Sequence, residues 1–232
     1  MEEQALILSL YYLDDMTLLS ACQSNKKIYQ RVCNNIWLGR IRTKFPYLSL
    51  DILNKYKGDR TWSEYYINDL LQIDSMDYPN NLLTMGANDD RLDYIIIALS
   101  RGADINMGEG ETLMTSSKKG YASIVKYLLN NGIDKIHING AIVRASMNGH
   151  LDVIKHLVEH VVDADDIYDL LMISIQYGHL DLVKYFVEHG ANPRKENDYA
   201  VKLANHNGYN QPGDIVDYLV SKGSPDPRIN QN

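Results

Sequence analysis

The sequence predicts an all-α protein, an α-solenoid of short helix–turn–helix repeats preceded by a small helical N-terminal module. Five segments of similar apolar pattern end at positions 102, 132, 161, 190 and 223, which are 30, 29, 29 and 33 residues apart. A shorter apolar segment precedes each of them, and residues 1–75 lack this repeat. Because one pair of helices cannot bury its own apolar face, repeats at such a spacing must stack.

The second helix of each repeat shows the clearest pattern. In Leu180–Val187 the apolar residues recur at the spacing of one helix face, and Gly190 follows, where a left-handed residue ends a helix well. Val161 replaces this glycine in the third repeat. A β-branched residue is poor in the left-handed conformation, so we expect the third of these helices to end differently.

The first helix of each repeat carries a small residue at one fixed position. These residues are Gly86, Ser116, Ala145, Ser174 and Ala204. A small side chain at a constant position lets neighbouring helices approach closely, so we expect close helix contacts at this position of the stack.

Glycine motifs stand at both ends of the second helices. Gly149-His150-Leu151-Asp152 and Gly178-His179-Leu180-Asp181 precede them, and Gly190-Ala191-Asn192 follows one. These motifs resemble those of the ankyrin repeat family, and the resemblance implies five stacked repeats in residues 76–224 that bind another protein. The family period is 33 residues, so the shorter spacing here indicates shortened fingers and moves the expected contacts to the helices. Such short repeats are similar to those of large DNA viruses, which implies a viral source.

The two residues before each turn glycine match the variable contact positions of the ankyrin family. The resemblance therefore implies that they bind the target protein. The candidate protein-binding residues are Lys118, Lys119, Met147, Asn148, Gln176, Tyr177, His206 and Asn207. Met147 and Tyr177 are the best candidates, because methionine and aromatic residues are enriched at interfaces. The alternative is that these surface positions vary because nothing constrains them.

Residues 1–75 contain a second motif. Leu18–Ile28, followed by Val32-Cys33 and Ile36-Trp37, resembles an F-box-like module with an apolar helix, a polar turn and a second helix. The resemblance implies docking to the Skp-type linker of a cullin–RING ubiquitin ligase. The linker-docking candidates are Leu18, Leu19, Ile28, Val32 and Trp37. The alternative, which stays open, is that these helices only cover the apolar face of the first repeat.

No set of residues in the sequence predicts catalysis. His156-Leu157-Val158-Glu159-His160 matches a zinc pattern in which two histidines share a helix face. Both histidines, however, stand at repeat positions that other repeats fill with ordinary surface residues. His150 and His179 are expected to bond the turn backbone. The glycine-rich segment Gly108–Glu111 lacks the lysine of a phosphate loop and is therefore expected to form a turn. We therefore expect no enzyme activity, no metal and no cofactor.

Composition limits the classes of partner and the cellular location that are expected for this chain. A net charge of −7 argues against nucleic acid and anionic membranes, and no apolar run reaches the ~18–20 residues that span a bilayer. Cys22 and Cys33 are too few for a disulfide scaffold and are expected to be reduced thiols. These features predict a cytoplasmic protein, in the host cytoplasm if the source is viral. Residues 225–232 are expected to form a flexible tail.

Overall fold

The computed structural model describes residues 10, 12–24, 26–160, 164–206 and 212–229, without the side chains of 26–31, 164–166 and 212–213. Every regular element in these ranges is a helix, which confirms the all-α prediction.

The N-terminal helices follow one another closely, and all but the second, which has 19 residues, are short. They are α1 (Asp15–Ser24), α2 (Lys26–Lys44), α3 (Leu50–Lys57), α4 (Trp62–Tyr65) and α5 (Leu71–Asp74), with a π-helical turn at Tyr66–Leu70. The start of α4 is fixed by a capping box, in which Thr61 Oγ1 accepts from the N–H of Glu64 and the Glu64 carboxylate accepts from the N–H of Thr61.

Within the described residues, ten further helices form five pairs, as the repeat pattern predicts. The first helices are α6 (Pro79–Asp89), α8 (Met107–Lys119), α10 (Ile138–Met147), α12 (Ala164–Gln176) and α14 (Lys195–His206). The second helices are α7 (Leu92–Ser100), α9 (Ala122–Asn130), α11 (Leu151–Val158), α13 (Leu180–Glu188) and α15 (Pro212–Ser221), and a 3-10 turn at Lys135–His137 precedes α10.

The ends of the second helices follow the glycine pattern. Gly132 and Gly190 follow α9 and α13 with φ values of 92° and 105°, in the left-handed region that glycine adopts without a steric penalty. The exception is α11, which ends at Val158 with Glu159 still in the right-handed region. Val161 lies outside the described residues.

The helices divide into two compact units. Unit 1 contains residues 1–86 and 91–103, and unit 2 contains residues 87–90 and 104–232. Unit 1 thus joins the N-terminal helices to α7 and most of α6, and unit 2 contains the four helix pairs from α8 to α15.

In unit 1 the second helix of the first repeat is buried on nearly all sides. Ile95, Ile96, Ile97 and Ala98 are consecutive residues of α7 and all four are buried. A helix on a protein surface leaves one face in water, so four buried residues in a row need cover on both sides. Part of this cover is α3, which packs against α7.

A buried network of charges also joins α7 to the N-terminal helices. Asp93 is fully buried and accepts hydrogen bonds from the Tyr65 hydroxyl at 2.6 Å and from Arg91 Nη2 at 2.7 Å. Arg91 Nη1 donates to Asp69 at 2.8 Å, and Arg60 donates to the other Asp69 oxygen at 2.5 Å. Burial raises the pKa of Tyr65, so its hydroxyl remains a donor. Since a buried carboxylate is stable only with such partners, the network fixes how these helices pack on α7.

In unit 2 the first helices α8, α10, α12 and α14 pack in a row, and each contacts the second helix of its own repeat. The predicted small residues lie at these contacts, where Ser116, Ala145 and Ser174 are fully buried. In unit 1, a Cβ added to Gly86 would stand 2.7 Å from Cδ1 of Ile95. The close approach that the small residues predict is therefore confirmed in both units.

The two cysteines differ from the sequence-based expectation. Cys22 on α1 and Cys33 on α2 form a disulfide, so the prediction of reduced thiols is wrong. The two helices pack against each other and place the Cα atoms 6.0 Å apart, within the range that a disulfide spans. A count of cysteines cannot reveal this proximity.

Two first helices open with a left-handed turn. Gly108, Glu109 and Gly110 have φ values of 63°, 57° and 76°, which confirms a turn in this glycine-rich segment. The segment Glu196–Asp198 adopts the same conformation, with φ values between 56° and 58°. No glycine predicts the second turn, because its three residues are an acid, an amide and an acid.

Candidate protein-binding surface

In three of the described repeats, the residue after the turn glycine bonds the preceding repeat. His150 Nε2 lies 2.8 Å from the carbonyl oxygen of Lys118, and His179 Nε2 lies 3.0 Å from that of Met147. A carbonyl oxygen only accepts, so each ring donates through Nε2. The predicted backbone-bonding role of both histidines is confirmed.

The same contact recurs one repeat earlier, and the glycines make room for it. Tyr121 occupies the histidine position, and its hydroxyl donates to the carbonyl oxygen of Asn88 at 3.4 Å. A Cβ added to Gly120 or Gly149 would stand 2.6 Å from the Nδ1 of the histidine that packs on it. These side chains form a ladder of inter-repeat hydrogen bonds along unit 2, which we call the turn ladder.

The turn ladder fixes the backbone at the predicted contact positions. Lys118 and Met147, whose carbonyl oxygens it holds, are each the first residue of a predicted contact pair. The exposed candidate side chains are Lys118, Lys119, Met147, Asn148, Gln176, Tyr177 and His206. Asn207 lies outside the described residues. The structure thus places the described candidates on the surface at the ends of the first helices.

Lys119 differs from the other candidates because its ammonium group is already engaged. Its Nζ donates to the carbonyl oxygen of Asn88 at 2.8 Å and lies 3.0 Å from Asn88 Oδ1. Lys119 therefore reinforces the turn ladder in addition to lying at a contact position.

Exposed apolar side chains extend this surface beyond the predicted positions. Ile136 is 82% exposed and Val143 is 37% exposed, beside 36% for Met147 and 39% for Tyr177. Ile136 and Val143 are not among the predicted contact residues, because only the two residues before each turn glycine match the variable positions of the family. Their spacing of eleven and four residues before Met147 was the available signal, since it places them on one helix face.

The linker-docking candidates lie at different depths in unit 1. Leu18 and Trp37 are core residues at 0% and 1% exposure, because α1 packs on α2 and α2 packs on α4. A docking surface in this arrangement therefore excludes both side chains. Leu19 and Val32 are half-buried, and the side chain of Ile28 lies outside the described residues. Leu19 lines a cavity of about 350 Å³ together with the disulfide and Trp37.

The zinc pattern does not form the helix face that its spacing implies. Because α11 ends at Val158, His160 lies beyond the last helical residue, and His156 does not share a helix with it. Among the residues that the structure describes, no group of three or more histidine, cysteine or acidic side chains is placed to hold a metal ion.

Comparison with known proteins supports the repeat assignment. The matched family model is described as ankyrin repeats (3 copies), and the match begins within α10 and includes α11 to α15. A search of curated proteins gave no match to the chain. Across the described ranges, no helix has both the length and the apolar character needed to cross a membrane. Residues 141–231 of this chain are similar to ankyrin repeats.

Proposed function

We propose that this protein is a non-catalytic binding protein whose first helices in unit 2 hold a target protein. The observation that carries the proposal is the exposure of Met147 and Tyr177 at positions next to the turn ladder. Ankyrin repeats generally bind proteins, and families built from them are typically non-enzymatic.

A fixed backbone makes these positions effective for binding. Association costs free energy for every loop and side chain that must be ordered, so contact residues whose backbone is already ordered bind a partner more tightly. Burying a methionine or an aromatic side chain contributes about 1.5–3 kcal/mol. Because Met147 and Tyr177 are 36% and 39% exposed in the free protein, only about a third of that contribution is available to each, so the two together contribute about 1–2 kcal/mol, or about a tenfold change in affinity.

The test uses partners recovered with the full chain from cells and then purified. The double variant Met147→Ala/Tyr177→Ala should weaken binding of such a partner about tenfold, because each truncation removes buried apolar area. The matched control is Lys126→Ala/Lys155→Ala, which changes two exposed residues on the second helices. Loss of binding in the control, with none in the first variant, would place the target surface on the second helices and refute the proposal.

A second candidate function is that of an adaptor, in which the N-terminal helices dock the Skp-type linker of a cullin–RING ubiquitin ligase. The half-buried apolar side chains of Leu19 and Val32 favour it, since they lie on α1 and α2 without being core residues. Purified linker should bind the chain in a pull-down, and Leu19→Asp/Val32→Asp should abolish this binding. No binding at concentrations well above micromolar excludes the adaptor function.

The alternative is that the N-terminal helices only cover the first repeat, and the hydrogen bonds of Asp93 to Tyr65 and Arg91 support it. Deletion of residues 1–75 separates the two functions. The deletion removes Tyr65 and Asp69 and leaves Asp93 and Ile96 without their cover. If the remaining chain becomes insoluble, the covering function is supported; if it stays folded and loses only linker binding, the adaptor is supported.

Cytoplasmic location, in the host if the source is viral, remains a proposal. The argument from reduced thiols no longer supports it, because Cys22 and Cys33 are joined. Immunofluorescence of the full chain in expressing cells tests it, with a signal confined to secretory compartments as the contrary result.

A further inference from the structure

An exposed apolar stripe runs along α10 and the 3-10 turn before it. Its exposed members are Ile136 in the turn and Val143 and Met147 on α10, and the half-buried Gly140 lies between Ile136 and Val143, so that the spacings are four, three and four residues. This spacing keeps the three α10 members on one helix face, and the buried residues Ala141, Ile142 and Ala145 lie on the opposite face. At a rise of 1.5 Å per residue the stripe is about 17 Å long.

Neighbouring helices widen the stripe with flexible side chains. Met114 of α8 reaches across to α10, where its Cε would stand 3.1 Å from a Cβ added to Gly140. Met172 occupies the Val143 position on α12 and is half-buried. Methionine adapts its shape to a partner, so this surface suits an apolar ridge pressed against it.

Charges are distributed unevenly along the stripe. Near the turn end, Lys118 stands at the Met147 position on α8 and Arg144 follows Val143 on α10, and both are exposed. At the opposite end of the stripe, nearer the start of the first helices, Glu111 and Asp169 stand at the Gly140 position on α8 and α12, and both are exposed. The turn end is therefore locally basic in a chain whose net charge is −7.

We infer that the stripe binds an amphipathic helix of a partner protein, with carboxylates at the end that meets Lys118 and Arg144. The inference rests on the proposed target-binding function and names the chemistry of the target. Apolar residues at spacings of three and four fit the ridge of a helix, and 17 Å matches about three turns. An added β-strand is disfavoured, because the backbone groups of α10 are engaged within the helix and offer no edge to pair with.

The test uses the full chain and two fluorescent synthetic peptides of about five helical turns. Both carry leucines at spacings of three and four; one has glutamates at one end and the other has lysines there. The glutamate peptide should bind at least tenfold more tightly, and added salt should weaken it because exposed charges are screened. Equal binding of both peptides, or binding of neither, overturns the inference.

Variants locate the contact. Val143→Ala/Met147→Ala should weaken the glutamate peptide about tenfold through lost apolar burial. Lys118→Glu/Arg144→Glu should weaken it about tenfold and reverse the preference between peptides. The matched control, Lys126→Glu/Lys155→Glu, makes the same charge change on the second helices and should leave binding unchanged; an equal loss there overturns the inference.

The purified cellular partner separates this inference from the proposed function. If the Met147→Ala/Tyr177→Ala variant no longer binds the partner but the Lys118→Glu/Arg144→Glu variant binds it as tightly as the unchanged protein, the binding function stands and the acidic-helix inference fails. If Met147→Ala/Tyr177→Ala leaves binding of the partner unchanged, the proposed function fails as well.

Discussion

Replacement of Asp93 by alanine tests whether the buried charge network holds the N-terminal helices on α7. The substitution removes the acceptor of the Tyr65 hydroxyl, 2.6 Å away, and of two Arg91 nitrogens at 2.9 and 2.7 Å. Arg91 keeps its bond to Asp69. The Tyr65 hydroxyl remains buried and loses its carboxylate acceptor.

The expected loss of stability is about 3 kcal/mol. A buried hydroxyl without an acceptor costs about 1–3 kcal/mol, and breaking a buried ion pair costs about 3–5 kcal/mol. We take the lower end of the second range, because the Arg91 side chain is 18% exposed and keeps one carboxylate partner. The matched control is Asp152→Ala at the same position of the third repeat. Asp152 is 82% exposed and pairs only with Lys155 at 3.3 Å, so its replacement should cost less than about 1 kcal/mol.

Tryptophan fluorescence during urea unfolding gives the measurement. Both tryptophans, Trp37 and Trp62, belong to unit 1, so their emission follows that unit alone. Far-UV circular dichroism reports both units and reads the Asp152 control. We expect Asp93→Ala to shift the fluorescence midpoint more than Asp152→Ala shifts the dichroism midpoint. An equal or smaller shift would contradict a stabilising role of the network. The network would then contribute nothing to the attachment of the N-terminal helices.

Two further predictions compare repeat positions by dichroism-monitored unfolding. Gly149→Ala should destabilise the chain by about 2–3 kcal/mol, because strain at positive φ adds to a clash with His179. Gly190→Ala meets no neighbouring atom and should cost only the strain, about 1 kcal/mol. Equal losses of stability in the two variants would contradict the clash. Ile96→Lys should cost about 3 kcal/mol because it places an ammonium group at a buried site. The reverse exchange, Lys155→Ile at the same repeat position, should change the free energy of unfolding by no more than about 0.5 kcal/mol. A large loss of stability there would contradict the assignment of Ile96 as buried and Lys155 as exposed.

The parts of the fold that depend on local patterns were predictable from the sequence. The five helix pairs follow from apolar spacing, and the glycines at 132 and 190 mark helix ends because the required backbone conformation excludes most other residues. The backbone role of His150 and His179 follows from their recurrence at one position of the repeat.

Features set by distant contacts were not predictable in this way. The disulfide depends on how α1 packs on α2, and the burial of Leu18 and Trp37 depends on which faces of these helices meet. The turn at Glu196–Asp198 lacks glycine, and its asparagine and aspartate only favour a left-handed backbone without requiring it. The pairs of residues before the turn glycines were predictable as exposed positions, but Val143 was not, because its exposure depends on the neighbouring helices.

Comparison between repeats nevertheless contains more information than the motifs alone. Where other repeats carry the exposed Lys126 and Lys155, the first repeat carries Ile96, and the structure shows that this isoleucine is buried in unit 1. An apolar residue at a position that is polar elsewhere thus indicated a surface covered by another part of the chain. Met147 deviates in the same way, since its neighbours at that position are Lys118 and Gln176, yet it is exposed. Met147 is 36% exposed, and the same physical argument supports the proposal that a partner covers its exposed part.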